Sequence, residues 1–209
     1  MRKYIRIITA LMLIMSVLVL TGCGGNNDSG EEADASEEVQ TEEHDAASEA
    51  GSGDTLVVYF SATGTTKGVA EKIASITGAD TYEIKAAKEY TDADLDWNDP
   101  DSRTTHEQND ASVRPEIGSD PVSLEGYKTI YIGYPIWWGE EPRIIDTFVE
   151  SYDFDGITMI PFCTSSSSGI GRSGKNLADK AGSGKWLDGE RFDGGVSDEE
   201  LKSWIEGLK

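Results

Sequence analysis

The chain has 209 residues, which leaves room for one ordinary α/β domain once its amino-terminal segments are set aside. Its formal net charge is −21, and within residues 55–209 alone 28 acidic residues outnumber 15 basic ones. Such a surface repels phosphate backbones, so the composition argues against nucleic acid and favours a basic protein partner or none.

The first 22 residues predict a lipoprotein signal peptide. A basic start, residues 1–6, precedes an apolar run, residues 7–20, that is too short for a secure membrane span. Thr21, Gly22 and Cys23 then resemble the bacterial lipobox, in which small residues precede a cysteine that is lipidated and becomes the new amino terminus. An uncleaved anchor helix with an incidental cysteine is the alternative. We therefore predict a protein that is lipid-anchored through Cys23 at the outer face of the bacterial cell membrane.

Residues 23–54 predict the lipidated cysteine followed by a disordered acidic tether. Residues 24–54 hold 11 acidic residues, no Lys or Arg, and almost no large apolar side chain. Such a segment cannot bury enough apolar area to offset its chain entropy. The folded domain is therefore expected to comprise residues 55–209.

The domain opens with a predicted strand, loop and helix. An apolar run, residues 56–60, leads through a small polar loop into an amphipathic segment, residues 67–77. The loop supplies the hydroxyls of Ser61, Thr63, Thr65 and Thr66, and Gly64, which can take unusual backbone angles. Backbone N–H groups at a helix start point at whatever lies above them, so the loop predicts a phosphate site built from neutral donors and the helix dipole. Plain N-capping of the helix by a hydroxyl is the alternative.

Further strands and helices alternate along the rest of the chain. The other predicted strands are residues 81–85, 128–134, 157–162 and 186–192. The other predicted helices are a polar one within residues 100–109, one opened by Pro142, one at residues 176–181, and one opened by a capping box at residues 197–200. A long polar insertion, residues 86–126, separates the second strand from the third. Five strand candidates alternating with helices predict an α/β fold with a parallel sheet covered on both faces.

Three loops follow the carboxyl ends of predicted strands, where ligands bind in such sheets. Besides residues 61–66, these are residues 135–139 and 164–171. The second loop offers large aromatic faces between a proline and a glycine, in Pro135, Ile136, Trp137, Trp138 and Gly139. The third offers hydroxyls and unhindered backbone without bulk, in Thr164, Ser165, Ser166 and Gly169. A ligand that matches all three loops has a phosphate at one end and a flat ring system at the other.

With these three loops in this order, the sequence resembles the flavodoxin family. The resemblance implies a doubly wound five-stranded sheet in the order 2-1-3-4-5 that binds flavin mononucleotide (FMN) without a covalent bond. It implies that the first loop holds the phosphate and that Trp137 or Trp138 lies on the ring system, the other being an ordinary buried indole. Residues 164–169 depart from many flavodoxins because they contain no aromatic residue. The second face of the flavin is then open, or is covered by Trp97 from the insertion.

Other motifs carry less weight. Residues 169–176 nearly fit a nucleotide-binding loop, but Asn176 stands where a Mg²⁺-binding hydroxyl is needed, which argues against an NTPase. With Cys23 assigned to lipidation, Cys163 is unpaired, and a small buried hydrophobe is the favoured interpretation over a redox thiol. No metal site is predicted.

The predicted function is electron transfer by an FMN-binding protein, with a redox protein or a small molecule as acceptor. The acidic charge is expected to disfavour the anionic reduced flavin and to lower its potential. An FMN-dependent quinone-type oxidoreductase and a non-redox binding module on the same fold are the alternatives.

Overall fold

The structure, a computed structural model, describes residues 53–208, so the predicted signal peptide, Cys23 and residues 24–52 lie outside the described residues. The described strands are β1 (Thr55–Tyr59), β2 (Asp80–Glu83), β3 (Thr129–Pro135), β4 (Thr158–Thr164), β5 (Lys185–Trp186) and β6 (Glu190–Phe192). The described helices are α1 (Thr65–Thr77), α2 (Arg103–Asn109), α3 (Arg143–Glu150), α4 (Ser173–Ala181) and α5 (Asp198–Gly207). Within this part of the chain, none of the helices combines the length and the apolar character that a membrane crossing requires.

The sheet is parallel, with neighbouring strands in the order β2-β1-β3-β4-β5, which confirms the predicted order. Alternate residues of β1 point to opposite faces, so Val58 joins a core with Ile145 of α3, whereas Val57 joins another with Ile73 of α1. β3 and β4 are buried on both faces, as their continuous apolar sequences predict. The helices therefore cover both sides of the sheet, as predicted.

The outer edge of the sheet differs from the prediction of one continuous strand over residues 186–192. It consists of β5 and β6, both paired with β4. Trp186 pairs with Met159 and Glu190 with Phe162, so the edge holds one more residue than β4 between these two points. Pro161 of β4 lies in the gap, and proline has no N–H to donate to a neighbouring strand. The missing donor and the extra residue explain why the edge strand is interrupted.

The insertion contains the predicted polar helix, α2, whose N-cap Ser102 accepts a hydrogen bond from the Thr105 N–H. Contrary to what its polar sequence suggests, much of α2 is buried, including Glu107 and Gln108 at 6% and 8% exposure. Polar side chains are buried at low cost only when they are hydrogen-bonded. The insertion is therefore attached to the domain through specific polar contacts.

Candidate cofactor site

The three predicted loops meet at the carboxyl ends of β1, β3 and β4, around a cavity of about 640 Å³. A cavity of this size is typical of sites for small organic molecules. The predicted residues that line it are Ser61, Thr63, Thr65, Thr66, Pro135, Ile136, Trp137, Trp138, Thr164, Ser165 and Ser166. The three predicted glycines, Gly64, Gly139 and Gly169, lie in the loops but outside this lining.

The first loop ends at Gly64, which is the N-cap of α1 and has a φ of 84°. Glycine adopts this left-handed conformation without steric cost, which lets α1 begin immediately at Thr65. No side chain in the described residues caps this helix, so the plain capping role considered for the loop hydroxyls is absent. The first intrahelical bond runs from the Gly68 N–H to the Gly64 carbonyl, at 3.0 Å. The earlier N–H groups of α1 therefore remain available to a ligand in the cavity.

The hydroxyls of the first loop differ in their partners. The Thr66 hydroxyl lies 2.7 Å from that of Thr164, and both residues are buried. The Ser61 hydroxyl is also buried, yet it has no hydrogen-bond partner in the described part of the chain. A buried hydroxyl without a partner is costly, and its presence in a cavity wall beside a helix start fits a polar ligand group. The residues present therefore fit the phosphate end of FMN.

The second loop is a tight turn closed by two hydrogen bonds of 3.0 Å between the backbones of Trp137 and Glu140. Its central residues, Trp138 and Gly139, have φ values of 51° and 84°, which is the left-handed pattern of a type I′ turn. For a tryptophan this conformation is strained, at a cost of about 1–2 kcal/mol. The turn thus holds the backbone of Trp138 in a conformation that is unfavourable for a tryptophan.

The two indoles of this loop have different surroundings. Trp137 makes edge-on contacts with Phe60 and Tyr90, at ring-centroid distances of 5.6 and 5.4 Å. Trp138 is 46% exposed. Both indoles line the cavity, Trp137 as part of an aromatic cluster and Trp138 as the more exposed of the two.

The third loop is folded on itself and fastened at its base. The Ser165 hydroxyl accepts hydrogen bonds from the N–H groups of Ser167 and Ser168, at 3.2 and 2.8 Å. The guanidinium of Arg191 in β6 donates to the Ser165 carbonyl. These contacts hold the loop backbone at the cavity wall although the loop is rich in Ser and Gly.

Several wall residues were missed by sequence reasoning. Two of them, Leu95 and Thr104, come from the insertion. Trp97, already predicted as the alternative cover for the flavin, also lines the wall and is 73% exposed. Asp193 and Gly194 follow β6. The signal for these two residues was available, because they follow a strand at the same edge of the sheet as the other loops. The signal for Leu95 and Thr104 was absent, because nothing local indicates where a long connection folds back.

Cys163 does not line the cavity. It is fully buried in the core beside the cavity, and burial raises the pKa of its thiol to about 12. A thiol that stays protonated near neutral pH is a poor nucleophile, which supports its role as a buried hydrophobe. No cluster of His, Cys, Asp or Glu within residues 53–208 is suited to hold a metal ion.

The fold and the cavity define a doubly wound α/β protein with a ligand site at the carboxyl edge of a parallel sheet. A family model described as Flavodoxin matches residues 54–208, and the chain belongs to the flavodoxin family. No protein with a curated description matches the chain.

Solved structures agree with this assignment. A candidate flavoprotein from Bacteroides uniformis is 49% identical, with a TM-score of 0.70 over 74% of this chain and 98% of the other. A second candidate flavoprotein, from Bacteroides eggerthii, is 42% identical, with a TM-score of 0.69 over 74% of this chain and 96% of the other. A flavoprotein from Lactobacillus acidophilus, solved in complex with FMN, is 26% identical, with a TM-score of 0.56 over 72% of this chain and 97% of the other.

Proposed function

We propose that this protein binds FMN noncovalently in the cavity and works as an electron-transfer flavoprotein. The observation that carries the proposal is the buried, unpartnered hydroxyl of Ser61 beside the free N–H groups at the start of α1. The family assignment and the FMN complex of the Lactobacillus acidophilus protein support the same ligand.

Each loop has a part in this proposal. The hydroxyls of Ser61, Thr63 and Thr65 and the first N–H groups of α1 hold the phosphate, while Gly64 keeps the approach free of a side chain. The indole of Trp138 lies against the ring system, where stacking adds about 1 kcal/mol to the area buried. The backbone of the third loop lines the remaining wall. Bound FMN supplies an acceptor and donor of one or two electrons.

We further propose that the protein is lipid-anchored through Cys23 at the outer face of the cytoplasmic membrane and exchanges electrons with a basic protein. The sequence of the first 23 residues and the excess of acidic residues in the domain support this proposal. The second candidate, an oxidoreductase that reduces quinone-type acceptors, is favoured by one feature of the cavity. Leu95 and Trp97 of the insertion add apolar surface to its wall, which suits a flat organic acceptor.

The test is titration of the purified, flavin-free protein with FMN, followed by flavin fluorescence and the visible spectrum. We expect a saturable change with a stoichiometry of one and a yellow protein after gel filtration. A protein that stays colourless with excess FMN would leave only a non-redox binding module.

Two further measurements separate the finer proposals. Steady-state oxidation of NAD(P)H with a quinone identifies the enzyme, whereas fast exchange with a protein acceptor and no such turnover identifies the carrier. Mass spectrometry of the amino-terminal peptide, compared between the wild type and Cys23→Ser, tests the lipid anchor. An unmodified amino terminus in the wild type would refute it.

A further inference from the structure

One side chain of α2 is bonded to the first residue of the turn at residues 137–140 and to the residue that follows this turn. Gln108 donates from Nε2 to the Trp137 carbonyl at 3.0 Å and to the Glu141 carbonyl at 3.2 Å. Its Oε1 has no partner in the described part of the chain. Reversing the amide would place oxygen against two carbonyl oxygens, so these acceptors fix its orientation. The amide therefore acts on the loop purely as a donor.

Arg143, the first residue of α3, holds Gln108 in place from the other side. This buried guanidinium donates to the Gln108 carbonyl at 3.1 Å and to the Glu107 carbonyl at 3.4 Å. It also donates to the carboxylate of Glu140, the last residue of this turn, at 2.9 Å. The end of α2 and the turn are thus bonded to each other and to the same cation.

The turn between these bonds is the one that places Trp138 in a left-handed conformation. Strained residues persist where the surrounding structure determines their conformation from several sides. The two carbonyls that Gln108 binds lie on either side of Trp138 in the chain, so its amide spans the strained residue.

We propose that Gln108 is a positioning residue for the flavin, acting through Trp138: it holds the turn so that the exposed indole faces the cavity. The inference rests on the proposed function for the flavin contact. It assigns the insertion a role, because the residue that fixes this loop lies 29 positions earlier in the chain, on α2. Gln108 itself is absent from the cavity wall.

The test is a double-mutant cycle between Gln108→Leu, which keeps the approximate size but removes the donor, and Trp138→Ala. The control is Asn109→Leu, an exposed neighbour in α2. We expect Gln108→Leu to raise the Kd for FMN about tenfold and Asn109→Leu to change it less than about twofold. In the Trp138→Ala background the effect of Gln108→Leu should fall below about twofold, because the two residues act as a unit. If the fold-changes in Kd of the two single variants multiply to give that of the double variant, the two residues act independently and the proposal is overturned.

A second measurement needs no flavin. Hydrogen exchange of the Trp137 and Glu140 amides in the flavin-free protein should accelerate about tenfold in Gln108→Leu and stay unchanged in Asn109→Leu. Unchanged exchange in Gln108→Leu would refute the positioning role, even if FMN binds. Accelerated exchange in a protein that fails to bind FMN would refute the proposed function and leave the control of the turn by Gln108 intact. Thermal melts of each variant confirm that binding is compared between folded proteins.

Discussion

The hydroxyls of Thr66 and Thr164 lie 2.7 Å apart, although the two residues are 98 positions apart in the sequence. Thr66 is in the first turn of α1, and Thr164 is the last residue of β4. This hydrogen bond therefore joins the first loop to the third loop at the cavity wall.

We expect Thr66→Val to destabilise the protein by about 1–2 kcal/mol, because it leaves the Thr164 hydroxyl buried without a partner. The double variant Thr66→Val/Thr164→Val removes both hydroxyls and should be less destabilised than the sum of the two single variants. Urea denaturation of the four proteins measures this coupling. Strictly additive changes in the free energy of unfolding would mean that the hydrogen bond contributes nothing.

Substitution of Ser61 should weaken FMN binding without reducing the stability of the protein. Its hydroxyl has no partner in the described residues, so Ser61→Ala is expected to leave the free energy of unfolding unchanged or slightly higher. The same substitution should raise the Kd for FMN about tenfold by removing a phosphate donor. Unchanged affinity would exclude Ser61 from the ligand site, whereas a large loss of stability would reveal a hydrogen bond inside the protein.

Trp138 allows backbone strain and stacking to be measured apart. Trp138→Gly relieves the strain of a φ of 51°, whereas Trp138→Ala does not. We expect the glycine variant to be more stable than the alanine variant by about 1 kcal/mol in urea denaturation. Both variants should lose FMN affinity equally, since both lack the indole. Equal stability of the two variants would show that the backbone conformation at position 138 carries no strain.

The ion pairs of α4 offer a matched comparison of two lysines on one helix. Lys180 donates to Glu141 and Asp146, at 2.7 and 2.8 Å, and both carboxylates are completely buried. Burial raises the pKa of the Asp146 carboxyl even though the Lys180 ammonium donates to it. Lys175 pairs with Asp179 at the surface, with both side chains 64% exposed.

Lys180→Met should therefore destabilise the protein by about 3–5 kcal/mol, because it leaves the buried Glu141 carboxylate without its cation and Asp146 with only Arg143, 3.5 Å away. Lys175→Met should change the free energy of unfolding by less than about 0.5 kcal/mol. Denaturant titrations near neutral pH measure the free energy of unfolding of both variants and of the wild type. A small effect at both positions would show that water or a rearranged Arg143 replaces the lysine.

Asp193 brings a negative charge into the cavity wall. Its carboxylate accepts a hydrogen bond of 2.8 Å from the Gly195 N–H, and an asparagine in its place keeps that acceptor. We expect Asp193→Asn to raise the two-electron reduction potential of bound FMN by about 20 mV, because it removes one exposed negative charge close to the reduced flavin. Asp155→Asn, in the turn before β4 at the other end of the sheet, serves as the control. Equal potentials in all three proteins would disprove the electrostatic tuning.

The sequence was sufficient to predict the central strands, because each is a continuous apolar run followed by a loop that contains a glycine. It was also sufficient to place Ser61 and Trp138 at one edge, because carboxyl ends of parallel strands share that edge. The burial of Gln108 could not be predicted, since its partners are backbone carbonyls far along the chain. The different surroundings of Trp137 and Trp138 could not be predicted either, because the segment is a tight turn with a positive φ at Trp138 and not an extended strand.

The interruption at Pro161 has a consequence for the behaviour of the protein at high concentration. Because β5 has two residues and β6 has three, the outer side of the sheet presents only short, offset rows of backbone donors and acceptors. A second copy of the chain finds little there with which to pair as an added strand. The break opposite Pro161 thereby makes this edge of the sheet a poor template for an added strand.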